Sequence, residues 1–155
     1  MPFLLVAALA MAPQVVEGPV RVVDGDTLRM GEHRIRLHGI DAPESRQNCT
    51  TGKDMAWMCG QAATTALRDK IGIASVRCEV EDQDRYRRLV ARCFVGSVDV
   101  NGWMVAQGWA LAYRQYSLRY IGLEDQARLQ KRGIWAAQFT PPWQWRAARR
   151  HRAAQ

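Results

Sequence analysis

Alternation of apolar and polar residues in the first third of the chain predicts a β-meander. The alternation runs through Val20–Val23, resumes in Thr27–Met30 after an Asp/Gly turn, and continues in His33–Ile40 after a second turn. In the third segment Ile35 and Leu37 share one face, while the opposite face carries arginine and histidine. Because successive side chains of a strand point to opposite faces, one face packs into a core and the other meets solvent or an anion.

The rest of the chain predicts two more strands and three helices. Ser75–Glu81 and Leu89–Val95 are strand-like and flank the charged turn Asp82–Arg88, which indicates an antiparallel hairpin. The predicted helices are Cys59–Ile71, Val100–Gln107 and about Ile121–Lys131, the last followed by the helix-stopping Gly133. Five strands with a helix between the third and fourth is the order of an OB-fold barrel, whose open face binds oligonucleotides. The expected fold class is therefore α+β, a five-stranded OB-fold β-barrel with three helices.

Length and composition indicate one domain with short segments at its ends. The 155 residues are 48% hydrophobic and 24% charged, which excludes disorder throughout and leaves little room for a second domain. We expect the domain to span residues 19–139. Residues 140–155, rich in Pro, Trp and Arg, are interpreted as a basic appendage.

The N-terminal segment, residues 1–18, begins with an apolar run that is typical of a signal peptide. Met1–Ala12 is too short to span a bilayer, and small residues end it in the manner of a cleavage site, although no Lys or Arg precedes it. A buried N-terminal helix or a misplaced start codon is the alternative. We interpret the run as an export signal, which predicts a periplasmic or secreted protein and no membrane partner beyond export.

The net charge indicates a polyanionic partner. Twenty-two Lys and Arg against 15 Asp and Glu give a net charge of +7. Nucleic acid is the first candidate for such a surface, but the same charge also suits a small secreted protein that only needs solubility. Charge alone leaves these two interpretations open.

Four cysteines are an even number, as a disulfide framework requires. In a hairpin centred on its charged turn, Cys78 and Cys93 face each other, so a cross-strand disulfide is predicted. Cys49 and Cys59 would then close the loop before the first helix. Reduced, buried thiols are the alternative for each pair, and the absence of CxxC or CxH spacing argues against a metal site built on cysteine.

Three acids, Asp26, Asp41 and Glu44, lie at or just beyond the ends of predicted strands, on one rim of the barrel. Carboxylate and carbonyl oxygens are the ligands that calcium prefers. Asp26 and Asp41, with the carbonyl of Ala42, waters and a phosphate oxygen, would complete a calcium shell and leave Glu44 free for a water. Taken separately, each acid is better explained as part of a turn or a strand end.

Arginines face these acids in the predicted barrel. Arg36 on the polar strand face, with Arg87 or Arg88 in the charged turn, supplies guanidinium groups that match the oxygens of a phosphodiester as negative charge develops. A solvated basic face is the alternative. Acids and arginines together indicate phosphoryl-transfer chemistry.

Three motifs in their order and spacing resemble the thermonuclease, or staphylococcal-nuclease-like, family. They are Val23–Thr27, Arg36–Glu44 and Asp84–Leu89, and the resemblance runs from about Val20 to Ala136. It implies an OB-fold, calcium-dependent endonuclease that acts on DNA and RNA, preferably single-stranded. The resemblance also implies a monomer whose cleavage leaves 3′-phosphate ends.

The resemblance implies a role for each matching residue. The implied calcium ligands are Asp26, Asp41 and the Ala42 carbonyl. The implied catalytic residues are Arg36, Glu44 and Arg88. The implied substrate-binding residues are Arg85, Tyr86, Arg87 and Tyr113. Family members usually carry glycine where Arg87 stands, so a one-residue shift of the turn would pass the catalytic role from Arg88 to Arg87.

Two other functions compete with a nuclease. A non-catalytic OB module would hold single strands on its basic face, and a protein-interaction domain would use the basic tail. Because all three acids and both arginines are present, we favour the nuclease.

Overall fold

The computed structural model describes residues 12–155 of the chain. The predicted signal-peptide run lies outside the described residues apart from Ala12. No helix in the described part is long and apolar enough to cross a membrane.

Short strands and four α-helices make up the described chain. The strands are β1 Val15–Gly18, β2 Arg21–Asp24, β3 Thr27–Met30, β4 His33–Leu37, β5 Ile40–Asp41, β6 Cys49–Thr50, β7 Ala56–Trp57, β8 Val76–Gln83, β9 Leu89–Val95, β10 Val98–Asp99 and β11 Leu111–Ala112. The helices are α1 Cys59–Ile71, α2 Val100–Ala106, α3 Ile121–Leu129 and α4 Pro142–Ala153, with a 3-10 turn at Gly133–Ala136.

The main sheet has the order β1-β8-β9-β4-β3-β2, with β10 added beside β9. Its neighbours are antiparallel except for the parallel pair β4 and β9. Fully buried side chains such as Leu28, Ile35 and Leu37 alternate with exposed or half-buried ones, so the sheet has an apolar inner face and a polar outer face. The five predicted strands correspond to β2, β3, β4, β8 and β9, and the predicted α+β OB-type barrel is confirmed.

Strand β1 was not predicted. It pairs with β8 from Val15 opposite Glu79 to Gly18 opposite Val76, and it falls inside the segment that we assigned to the N-terminal run. Four residues at a sheet edge carry too little periodicity to stand out from the neighbouring apolar stretch.

Both predicted disulfides are present. Cys78 lies opposite Cys93 in the β8–β9 register and is bonded to it, while Cys49 is bonded to Cys59 at the start of α1. Disulfides of this kind are typical of an oxidising compartment rather than a reducing one.

The predicted helices are present with small changes at their ends. α1 has its predicted bounds, whereas α2 ends one residue early and α3 two residues early. The fully buried Asn101 in α2 ties this helix to the barrel: its side-chain amide donates to the carbonyls of His38 and Ala91, and its side-chain oxygen accepts from the Cys93 amide.

Two close packings position the acidic rim. β5 pairs with β11, which places Asp41 opposite Leu111. The first turn of α1 touches the loop after β5 directly, since a Cβ added to Gly60 would overlap the backbone carbonyl of Glu44. Only glycine allows this approach of helix to loop.

The C-terminal tail forms helix α4, a difference from the expected appendage. Pro142 is buried, and Trp143 packs against the smaller hydrophobic cluster that contains Cys49, Cys59 and Ile134. Trp143 contacts residues that are far from it in the chain, so local sequence patterns did not indicate this packing.

Candidate active site

The three predicted acids converge at one end of the barrel. Asp26 lies in the turn between β2 and β3, Asp41 ends β5, and Glu44 follows in the next loop. Asp26 and Asp41 are buried, with exposed fractions of 7% and 0%. An Asp26 carboxylate oxygen accepts a hydrogen bond of 2.8 Å from the Ala42 amide, which ties the turn to the loop.

Arg36 of β4 bridges the two buried aspartates. Its Nη1 lies 3.1 Å from Oδ2 of Asp26, and its Nη2 lies 3.2 Å from Oδ1 of Asp41. This is the juxtaposition of guanidinium and carboxylates that the sequence predicted. The antiparallel register of β3 and β4, with Thr27 facing Arg36, produces it.

Two carboxyl groups at this end of the barrel, those of Asp41 and Asp24, have raised pKa values. Burial raises the pKa of Asp41 to about 6, and the charge of Asp26 adds to this effect, against hydrogen bonds from arginine that lower it. Burial also raises the pKa of Asp24 to about 7, with the charges of Asp26 and Glu44 contributing. The rim therefore holds more negative charge than Arg36 alone neutralises, and it attracts further cations.

Asp24 belongs to this cluster although we did not predict it as a site residue. Its Oδ1 accepts a hydrogen bond of 3.1 Å from the Asp26 amide. The Asp-Gly-Asp turn was visible in the sequence, but we weighed only its second acid as a ligand.

Arg146 of α4 enters the acidic cluster from the C-terminal tail. Its Nη1 lies 2.9 Å from Oδ1 of Asp41 and 2.8 Å from Oε1 of Glu44, and its Nη2 lies 2.9 Å from Oδ2 of Asp41. Although burial lowers the pKa of Arg146, its hydrogen bonds to Asp41 and Glu44 raise that pKa above its ordinary value. Sequence reasoning missed this residue, because no local pattern links positions 105 residues apart.

Tyr113 lies beside this cluster and is covered by α4. Its ring stacks on the Trp143 indole with a centroid distance of 5.4 Å and an interplanar angle of 6°, and Tyr116 packs edge-on against it. Burial raises the pKa of Tyr113, and the negative charge of Asp41 contributes. A predicted base-binding ring is thus paired with another aromatic ring.

The remaining predicted residues share the turn between β8 and β9. Asp84 organises it: its carboxylate accepts from the amides of Tyr86 and Arg88 and pairs with the Arg88 Nε at 2.7 Å. The guanidinium groups of Arg85 and Arg88 both lie over the Tyr86 ring. Arg87 is exposed and adopts a left-handed backbone with φ of 64°.

The structure brings together four of the five predicted acidic and basic groups. Arg36 and the three acids converge, whereas Arg88 makes its ion pair with Asp84 and none with those acids in the described chain. Arg87 has a left-handed backbone, for which glycine is the usual residue, and Arg88 is the residue of this turn that pairs with Asp84. The assignment of the catalytic role to Arg88 rather than Arg87 stays a prediction.

The acidic cluster has the chemistry of a site for a hard cation. Its donors are carboxylate oxygens, and the guanidinium of Arg146 already serves as a positive charge among them. In residues 12–155 no three His, Cys, Asp or Glu side chains form a metal centre by themselves. The two aspartates predicted as calcium ligands supply only two carboxylates, so backbone, water and substrate oxygens would have to complete the shell; this ligand set stays a prediction.

Comparison with known proteins identifies the family. The sequence model of the family described as "Staphylococcal nuclease homologue" matches residues 34–137, two thirds of the chain. The chain therefore belongs to the staphylococcal nuclease homologue family, and the predicted family is confirmed.

Curated relatives include proteins named as nucleases. The chain is 35% identical over 135 residues to an "Uncharacterized endonuclease" of Escherichia coli, covering 82% of each protein. It is 30% identical over 151 residues to "Micrococcal nuclease" of Shigella flexneri, covering 83% of this chain and 79% of the relative. It is also 33% identical over 138 residues to "Succinoglycan biosynthesis protein ExoI" of Rhizobium meliloti, covering 87% and 72%. The prediction of a nuclease enzyme is confirmed at this level.

The left-handed backbone at Arg87 yields a testable prediction about the turn. That conformation costs a non-glycine residue roughly 1–2 kcal/mol. Glycine avoids this cost, but its greater conformational freedom in the unfolded chain offsets part of the gain in stability. We expect Arg87→Gly to raise the free energy of unfolding by about 0.5–1 kcal/mol in urea titrations.

Arg85→Gly is the matched control, since Arg85 lies in the same turn and its φ is not positive. It should lower the free energy of unfolding. Equal effects of the two glycines would contradict the assignment of strain to Arg87.

Proposed function

We propose that this chain is a calcium-dependent endonuclease that hydrolyses phosphodiester bonds of DNA and RNA and leaves 3′-phosphate ends. The observation that carries the proposal is the convergence of Asp26, Asp41 and Glu44 at one end of the barrel, where Arg36 pairs with both aspartates and Arg146 pairs with Glu44. The nucleic-acid substrate follows from the relatives named as nucleases.

Asp26 and Asp41, with the Ala42 carbonyl, are the residues that would hold calcium. When bound there, the ion supplies a positive charge that polarises a phosphate oxygen. Because both Asp41 oxygens now accept from Arg146, the ion and this guanidinium compete for the same carboxylate.

Glu44 accepts the proton of the attacking water in the proposed reaction. The water oxygen bonds to phosphorus, the bond from phosphorus to the 5′ oxygen breaks, and that oxygen takes up a proton from solvent. Glu44 then returns its proton to solvent. Arg36 and Arg88 stabilise the charge that develops on the phosphoryl oxygens. Because Glu44 is half exposed beside the buried aspartates, it can meet both water and substrate.

The turn between β8 and β9 and the β11 segment would hold the nucleotide. Arg85 and Arg87 offer guanidinium groups to phosphates, and Tyr86 and Tyr113 offer rings to bases. Tyr86 is 59% exposed, as a stacking surface requires. Single strands are the preferred substrate, since their bases are free to stack.

Two disulfides support action outside the cytoplasm, and we propose export of a monomer to the periplasm or medium. Under those conditions the disulfides stay oxidised. The apolar N-terminal run is the proposed export signal.

The proposed reaction is tested by incubating the purified protein with a single-stranded DNA oligonucleotide, with calcium or with chelator. We expect shortened products bearing 3′-phosphates only with calcium. Glu44→Gln should lower the cleavage rate by about 10²–10⁴-fold, because the general base is removed.

Glu17→Gln is the matched control, since Glu17 is exposed on β1 at the sheet edge. It should cut at the normal rate. Retardation of the oligonucleotide without cutting would instead support the non-catalytic binding module, and an unchanged rate in Glu44→Gln would remove Glu44 from the mechanism.

A further inference from the structure

Three arginines lie side by side across the edge of the barrel. The strand registers place Arg21 of β2 opposite Arg29 of β3, and Arg29 opposite Arg34 of β4. All three side chains are exposed, and they share the outer face of the sheet. We call this set the arginine row.

The arginine row is continuous with the candidate active site. Because Ile35 pairs with Leu89 in the parallel register of β4 and β9, Arg34 lies beside Arg88, the residue just before β9. Arg36 is two residues beyond Arg34 on the same strand and therefore on the same face. The row thus leads from Arg88 and Arg36 across the sheet to β2.

The arginine row has no structural explanation. Like charges directly opposite each other on neighbouring strands destabilise a sheet. Arg21, Arg29 and Arg34 make no ion pair with any acid in residues 12–155 that would offset this repulsion. A feature that opposes folding and stays uncompensated indicates an external anion.

We propose that the arginine row binds the phosphate backbone of the polynucleotide strand as it leaves the active site. This inference rests on the proposed function and extends its substrate-binding surface beyond the bond that is cut. Strands about 4.8 Å apart give the row, from β9 to β2, a length of about 14 Å, which spans several phosphates.

A nucleic-acid strand fits the row better than other polyanions do. Guanidinium groups in a line match phosphates in a line, and they read no base. The line also starts at the residues that face the scissile phosphate, so one strand can occupy both. A substrate too short to leave the active site would not reach Arg29 or Arg21.

The triple variant Arg21→Gln, Arg29→Gln, Arg34→Gln tests the proposal. Binding of a fluorescent single-stranded oligonucleotide of about 20 nucleotides, measured by anisotropy with chelator present, should weaken by about tenfold or more. The slope of log affinity against log salt should become shallower by about 2, because each phosphate that an arginine neutralises adds about 0.7 to its steepness. With calcium, cleavage of a dinucleotide should keep its kcat/KM.

A second triple variant, Arg68→Gln, Arg128→Gln, Lys131→Gln, removes the same charge from exposed positions on and beside α1 and α3. If oligonucleotide binding weakens equally in the two triple variants, net charge alone explains the binding and the proposed role of the arginine row is overturned. An equal loss of dinucleotide and oligonucleotide cleavage in the first variant would also overturn it. If the protein cleaves no substrate but the two triple variants still differ in oligonucleotide binding, the proposed nuclease activity is refuted and the proposed role of the arginine row is not.

A separate observation concerns helix α4, whose first five residues occupy two parts of the candidate site at once. Arg146 lies among the oxygens of Asp41 and Glu44, where the proposed cation would bind. Trp143 stacks flat on Tyr113, where a nucleotide base would stack. The Arg146 guanidinium and the Trp143 ring thus occupy the places proposed for the calcium ion and for a nucleotide base.

The remainder of α4 is held weakly. From Ala147 onward its side chains are exposed, and among them are Arg149, Arg150 and Arg152. The helix starts after Thr140 and Pro141, a segment in which the Thr140 carbonyl accepts a hydrogen bond from the buried Gln47. The segment before α4 is thus anchored and the helix beyond Arg146 is exposed, so displacement of α4 requires the contacts of Trp143 and Arg146 to break.

We infer that α4 is an intramolecular occupant of the active site, which calcium and substrate displace together. This inference also rests on the proposed function. Release frees both oxygens of Asp41 for the ion, Glu44 for water and the face of Tyr113 for a base. The basic outer side of α4 then lies near an anionic strand, which favours the released position.

Calorimetric titration with calcium alone tests the proposed displacement of α4. We expect Arg146→Ala to bind calcium about tenfold or more tightly than the unaltered protein, because a competing charge is gone. Hydrogen exchange of the amides of residues 143–153 should speed up when calcium is added to the unaltered protein.

Arg150→Ala is the matched control, since it removes the same charge from the exposed part of α4. It should bind calcium as the unaltered protein does. Equal or weaker calcium binding by Arg146→Ala would overturn the inference and make Arg146 a supporting residue. Absence of calcium binding in every variant would refute both α4 displacement and the proposed metal.

Discussion

The structure depends on keeping two carboxylates, those of Asp26 and Asp41, buried at one end of a small barrel. Burial raises the pKa of Asp41 to about 6 and that of Asp24 to about 7, and at Asp41 the hydrogen bond and charge of Arg146 and the charge of Arg36 oppose the effect of burial. Arg36 pairs with Asp41 from within the barrel, and Arg146 pairs with Asp41 from the C-terminal helix. Such a cluster is held ready for cations, and the chemistry that we propose follows from this property.

The fold builds the cluster with backbone geometry. The β2–β3 turn, the short strand β5 and the first turn of α1 meet because Gly60 lets the helix touch the backbone at Glu44 and because β5 pairs with β11. Asn101 fixes α2 to β9 and to His38, the residue after β4, by three hydrogen bonds. The disulfides hold the outer hairpin and the loop before α1, so the acidic rim sits on a rigid support.

Sequence periodicity predicted the parts of the molecule that local contacts determine. The bounds of α1 and the facing of Cys78 and Cys93 follow from helical spacing and from counting outward from a turn. Arg36 and Asp41 are five residues apart, so their meeting was also predictable. Strand β1 and Arg146 were not, because their partners lie far away in the chain and only the packed structure selects them.

Asp26 and Asp41 are the two side chains that we propose to bind one calcium ion together, and the whole mechanism relies on that ion. The most direct measurement is a crystal structure of the protein grown with calcium and an uncleaved oligonucleotide, with the ion identified by its anomalous signal. We expect a single ion bound by carboxylate oxygens of both residues at about 2.3–2.6 Å. An ion bound elsewhere, or a strand bound with Arg146 still between Asp41 and Glu44, would refute the proposal.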